Sequence, residues 1–143
     1  MTTMITDKIC IGDSSDAKQL ESSIDSTLNV AIDLDIALRA GNADRHKVGL
    51  IDGPGNDEFT LMAAVIMLHS LNRKYRRVLV HCHEGKSRSV MVVAVYISII
   101  GNMDFDKVLR EVMASRNVTD YRPILYQQYQ KLIPTLRKLI RNN

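Results

Sequence analysis

The sequence predicts a single α/β domain over residues 1–143: a central, largely parallel (mixed) sheet of four or five strands flanked by helices, with an anion-binding loop between a strand and a helix. Three observations predict it. Short apolar runs of strand character alternate with segments whose apolar residues recur at helical spacing, the pattern of a parallel sheet with crossover helices. Two strand ends run directly into loops that carry reactive side chains, which is where open parallel sheets place their chemistry. A chain of 143 residues fits one domain with a real core, and it contains no internal repeat, low-complexity tract or linker.

The elements follow in order. Lys8-Ile9-Cys10-Ile11 reads as a short strand ending at Gly12-Asp13, with Ser14 or Ser15 placed to cap a helix through Leu20. Thr27 to Ala31 is the next strand. Asp33 to Lys47 is polar with a turn signal at Gly41-Asn42, and Val48 to Ile51 forms another short strand. It stops at the loop Asp52-Gly53-Pro54-Gly55-Asn56. Leu61, Met62, Val65, Ile66 and Leu68 then mark a helix that Asn56 or Asp57 caps. Val78 to His81 is a buried-type strand running into Cys82, and Val90 to Ile100 is an apolar run read as a buried helix. Phe105, Val108, Leu109, Val112 and Met113 form the stripe of a third surface helix. A last helix begins near Ile124, with Tyr129, Leu132, Ile133, Leu136 and Ile140 on one face and Pro134 expected to kink it.

Composition narrows the function. Hydrophobic residues at 45% and charged residues at 24% suit a globular chain and exclude disordered and fibrous classes. The longest apolar run is well short of the roughly 18 residues a membrane span needs. The N-terminus lacks the basic, apolar and small-residue parts of a secretory signal, so a cytoplasmic location is expected. Two distant cysteines, Cys10 and Cys82, make no disulfide framework. The net charge of +3 gathers in Arg73 to Arg77 and in the C-terminal helix, where it reads as solvated surface; without interleaved aromatics no nucleic-acid partner is expected.

The chemistry is carried by His81-Cys82-His83-Glu84-Gly85-Lys86-Ser87-Arg88-Ser89. Six residues from Cys82 to Arg88 suffice to wrap backbone N–H groups around a tetrahedral anion, with Gly85 free to take positive φ and the following helix adding its positive end. A free cysteine is only roughly 3% thiolate at pH 7, and such a cradle lowers its pKa toward the range of efficient nucleophiles. Arg88 offers a planar fork for two oxygens of a phosphoryl group. Ser89 either donates to the thiolate or caps the helix. A leaving oxygen needs a proton from a second loop, and Asp52 is the candidate; Asp57 and Glu58 read as first-turn helix residues. Cys10 reads as a small core residue, and His46 and His69 as surface and helix-face residues. No second Cys or His pair has zinc-ligand spacing, so no metal and no cofactor are expected.

At this point the chain resembles the dual-specificity protein phosphatases of the cysteine-based tyrosine phosphatase superfamily. The resemblance rests on His-Cys-x5-Arg-Ser, on an acid 30 residues upstream of the cysteine, and on Ile9 to Asp13, Leu28 to Ala31, Val78 to Cys82 and Arg122-Pro123 in the family's order. It spans nearly the whole chain. It implies a phosphatase-type loop in which Cys82 is the nucleophile, Arg88 the phosphate clamp and Asp52 the general acid, with backbone amides of His83, Glu84, Gly85, Lys86, Ser87 and Arg88 binding substrate. It implies no metal. Implied partners are phosphorylated proteins or peptides, with phosphate, sulfate or vanadate in the loop. Where many members have Ala before the loop glycine this chain has Glu84, and its acid loop carries Gly53-Pro54-Gly55; both bear on substrate preference and loop motion, not on reaction type. The short chain suggests, by analogy, a shallow pocket open to phosphoserine and phosphothreonine as well as phosphotyrosine.

Three other readings compete. A phosphoinositide or other non-protein phosphatase would use the positive charge of Lys86 and His83, against which Glu84 argues. A silent phosphate-binding module would not need Cys82, Arg88 and Asp52 together. A rhodanese-type sulfurtransferase would not need the upstream acid.

Overall fold

The computed structural model describes residues 1–36 and 42–141. Among these, five strands form one sheet: β1 (Thr3–Met4), β2 (Ile9–Gly12), β3 (Ser26–Ala31), β4 (Asp44–Leu50) and β5 (Val78–His81). They lie in the order β1-β2-β5-β3-β4, and only β1 runs antiparallel to its neighbour. The expected mixed, largely parallel α/β architecture is what the chain adopts. The helices are α1 (Ser14–Lys18), α2 (Glu58–Lys74), α3 (Arg88–Ile100), α4 (Phe105–Arg116) and α5 (Pro123–Arg141).

Strand β5 sits at the centre, and every residue of β2, β3 and β5 is buried. Alternation along β2 separates two cores: Ile9 and Ile11 join the large cluster with α2, α3, α4 and α5, whereas Cys10 packs with Ala17, Ile24 and Leu79 on the α1 side. Helix α3 is buried on nearly every residue from Arg88 to Ile99, as its nearly continuous apolar run from Val90 requires. Tyr129 anchors α5 by donating its hydroxyl to the Leu61 carbonyl at 2.7 Å, and α5 continues through Pro134.

Several local expectations change. β4 begins at Asp44, not Val48, because an edge strand with one solvated side tolerates Asp44, Arg45, His46 and Lys47. The cap of α1 is Asp13 rather than Ser14 or Ser15: its carboxylate accepts from the Asp16 N–H while Asp16 accepts from the Asp13 N–H, and the helix stops at Lys18. Asp57 caps α2. Asn56 instead closes the preceding loop, exchanging hydrogen bonds with the Ile51 backbone. The turn expected at Gly41-Asn42 falls partly outside the described residues. Among the described residues no helix is long and apolar enough to cross a membrane.

Candidate active site

Parallel strands β3, β4 and β5 end side by side, and the site is built from the three loops that leave them. From β5 comes the segment Cys82 to Ser87. The Cys82 side chain is buried, with Sγ 3.3 Å from the Ser89 hydroxyl. Burial alone would push the thiol up. The Ser89 hydroxyl and the backbone N–H groups of Ser89, Ser87 and Gly85 outweigh it together and hold the thiol below the ordinary cysteine value. His81, one residue earlier, contributes no charge at neutral pH: burial pushes its imidazole down to about 4.

Helix α3 differs from its neighbours at its start. Helices α1, α2 and α4 are capped by the carboxylates of Asp13, Asp57 and Asp104. The residue at the cap position of α3, Ser87, makes no side-chain cap bond, since its hydroxyl donates to Asp52 Oδ1 at 2.8 Å. The first amides of α3 are thereby left without a side-chain cap, and the Ser89 N–H serves the Cys82 sulfur instead. Ser89 lies inside the helix with its hydroxyl on the thiol, so of its two sequence readings the geometry matches the thiol contact. Gly85 takes φ +68°, and a Cβ there would stand 2.5 Å from the Gly12 carbonyl oxygen; no other residue type fits.

Arg88 is almost fully buried. Its Nη1 donates to Asp33 Oδ1 at 2.6 Å and to the Leu50 carbonyl at 2.8 Å, while Nε is buried with no partner among the described residues. An unpaired buried donor on a cation is costly unless a ligand satisfies it. Asp33 also meets His83 Nε2 at 3.2 Å, and its hydrogen bond from Arg88 holds its carboxyl below the usual carboxylate range.

Asp52, at the end of β4, lies over the loop. It accepts from Ser87 and pairs with Arg122 Nε at 3.4 Å. With Glu84, Lys86, Asp120 and Tyr121 these residues line a shallow cleft of about 200 Å³. Asp57 is occupied as the α2 cap. The structure therefore gathers Cys82, Arg88, Ser89 and Asp52 with the His83 to Ser87 segment in one place.

It also brings in three residues that sequence reasoning assigned no role in the site. Asp33 carried a signal that went unused: it follows the carboxyl end of β3, as Asp52 follows β4. Arg122 entered only as half of a landmark dipeptide. Arg116, which donates to the Gly85 carbonyl at 3.0 Å, comes from the far end of α4 and had no local signal.

Cys10 stands apart. Its thiol donates to the Val78 carbonyl at 3.6 Å, and burial pushes it up to about 12. In register Cys10 faces Leu79, so Cys82 lies three residues farther along β5, about 10 Å by strand rise alone. That exceeds the roughly 7 Å limit between Cα atoms for a disulfide.

A fold that delivers a buried thiol to the bottom of an amide-lined loop, with an arginine tied down beside it, defines a cysteine-based phosphatase domain. The comparisons narrow the class. The family model described as dual specificity phosphatase, catalytic domain, matches residues 10–132, and the chain belongs to that family. Among solved structures it is similar to DUSP15 (TM-score 0.84, 19% identity, covering 99% of this chain and 96% of that one). It is also similar to a mouse putative dual specificity phosphatase solved with zinc tungstate (TM-score 0.81, 23% identity, 96% and 89% covered) and to PTPMT1 (TM-score 0.78, 15% identity, 100% of both). At these identities the likeness is one of fold. A search of curated protein sequences finds no match.

Proposed function

We propose that the chain is a protein phosphatase that hydrolyses phosphotyrosine and phosphoserine or phosphothreonine through a phosphocysteine on Cys82. The observation that carries this reading is Arg88: a nearly buried cation whose Nη1 is fixed by Asp33 and Leu50 and whose Nε has no partner among the described residues, beside a thiol held below its ordinary pKa. A phosphoryl oxygen is the acceptor such a donor lacks.

In the first step the Cys82 thiolate attacks phosphorus, the ester P–O bond breaks, and protonated Asp52 gives its proton to the leaving oxygen. In the second, water attacks phosphorus, Asp52 takes the water proton, and the P–S bond breaks. The thiolate that returns is met by the Ser89 hydroxyl and the loop amides. Charge on the equatorial oxygens is met by backbone N–H groups and Arg88 already in position, so little reorganisation is needed.

A second reading, a phosphoinositide phosphatase, is favoured by the likeness to PTPMT1 solved with PI(5)P (TM-score 0.73, 15% identity) and by Lys86 and Arg122 in the cleft. Asp52, Glu84 and Asp120 line the same cleft and offset those cations, which supports a less anionic substrate. The ratio of kcat/KM for phosphopeptides and for inositol lipid phosphates separates the two. Cys82→Ser is expected to abolish turnover of either while orthovanadate still binds; normal turnover in that variant would overturn the mechanism.

A further inference from the structure

A trans peptide is planar and points its C=O and N–H in opposite directions. Fixing a carbonyl on the outside of a loop therefore turns the next residue's N–H inward. Two carbonyls of the Cys82 loop are fixed in this way, and the described residues contain no cis peptide. The His83 carbonyl accepts from the Ser14 N–H at 2.8 Å, and the Gly85 carbonyl accepts from Arg116 Nε at 3.0 Å. The first is a backbone contact no side-chain change removes. The second depends on one guanidinium.

Arg116 is the last residue of α4, and a solvated or helix-capping arginine would be ordinary there. Its contacts are not of that kind. The end of α4 is closed by Asn117 in the left-handed conformation, with φ 56°. The Arg116 fork reaches away from its own helix: Nη1 donates to Thr3 Oγ1 at 3.0 Å and to the Met1 carbonyl, and Nε donates to Gly85. A Cβ on Gly85 would lie 2.6 Å from Nη2, so the guanidinium is seated directly against the glycine. Both edges of the fork are thus committed, one to the β1 segment and one to the loop.

We propose that Arg116 is a positioning residue for catalysis: anchored on Thr3, it holds the Gly85 carbonyl outward and so keeps the Lys86 N–H turned into the anion cradle. No bond is made or broken on Arg116. The proposal rests on the reading that Cys82 is the nucleophile of this cradle.

The test uses the full chain, p-nitrophenyl phosphate as substrate, orthovanadate as inhibitor, and the pH dependence of iodoacetamide alkylation at Cys82. Arg116→Gln, folded by circular dichroism, is expected to weaken vanadate inhibition about tenfold or more, the scale of one lost charge-assisted hydrogen bond. The alkylation midpoint is expected to rise, because a Gly85 freed at its carbonyl no longer holds its own N–H firmly on the sulfur, and a nearby cation is lost. Arg116→Lys keeps the charge without the two-edged fork and is expected to recover part of both losses. Wild-type vanadate affinity and midpoint in folded Arg116→Gln would overturn the proposal. If that variant fails to fold, Arg116→Lys decides: vanadate inhibition weakened at least threefold supports it, and unchanged inhibition overturns it. Turnover persisting in Cys82→Ser would instead remove the underlying reading.

Discussion

The proposed mechanism requires Cys82 to be both buried and charged, two conditions that oppose each other in any single side chain. The loop resolves the conflict with short-range donors: the Ser89 hydroxyl and three amides outweigh desolvation. Arg88 meets a related difficulty through Asp33, which neutralises part of its charge and fixes one edge of the fork. Asp33→Asn keeps the shape and removes the charge. It is expected to lower kcat/KM about tenfold and to weaken vanadate inhibition, with little change in Tm because Asp33 is largely exposed. Unchanged inhibition would show that Arg88 orients itself. The sign with pH follows from the depressed Asp33 carboxyl: its contribution is full above the ordinary carboxylate range and lost only as pH falls through the lowered value. Cys82, Arg88 and Ser89 were legible in the sequence because one loop carries all three at readable spacing. Arg116 was not, and Asp33 only through its position after a strand end, since the meaning of both depends on which elements the fold sets beside that loop.

At the scale of elements, the ends of helices and strands divide the labour. Asp57 and Asp52 are five residues apart, yet one caps α2 and the other hangs over the Cys82 loop. Asp57→Ala is expected to cost about 1 kcal/mol of stability with kcat unchanged. Asp52→Ala is expected to lower kcat by about 10² to 10⁴ with Tm nearly unchanged. Thermal unfolding and steady-state kinetics on both variants check this, and the reverse pattern would reassign the acid. The strand β5 and helices α3 and α4 could be read closely from the sequence, because continuous burial and a clean apolar stripe dominate them. The start of β4 could not. Its charged residues look like loop until a neighbouring strand is present to pair with them. The α1 cap went to Asp13 for a related reason: a reciprocal pair with Asp16 satisfies two donors where a lone serine satisfies one.

For the whole molecule, the two sides of the sheet carry different duties. The side facing α2 and α3 holds most of the core and the Cys82 thiol, whereas the α1 side holds Cys10, chemically quiet and out of reach of Cys82. A redox partnership between the two, conceivable from composition, fails on strand register. His81 gives the fold a defined response to acid. Burial lowers its pKa from 6.5 to about 4, so the unfolded chain takes up a proton first as pH falls, and stability is lost between those values. The loss amounts to about 3 kcal/mol at most. Urea midpoints measured from pH 7 to pH 4.5 should fall in the wild type and flatten in His81→Gln; an equally steep profile in the variant would place the proton elsewhere. The central claim concerns a covalent bond between phosphorus and Cys82. Its most direct test is rapid acid quenching during turnover, followed by mass spectrometry of the peptide that contains Cys82. A phosphate adduct on that sulfur, absent in Cys82→Ser, is the expected result. Undiminished turnover with no such adduct, or with the phosphate on His83 instead, would contradict it.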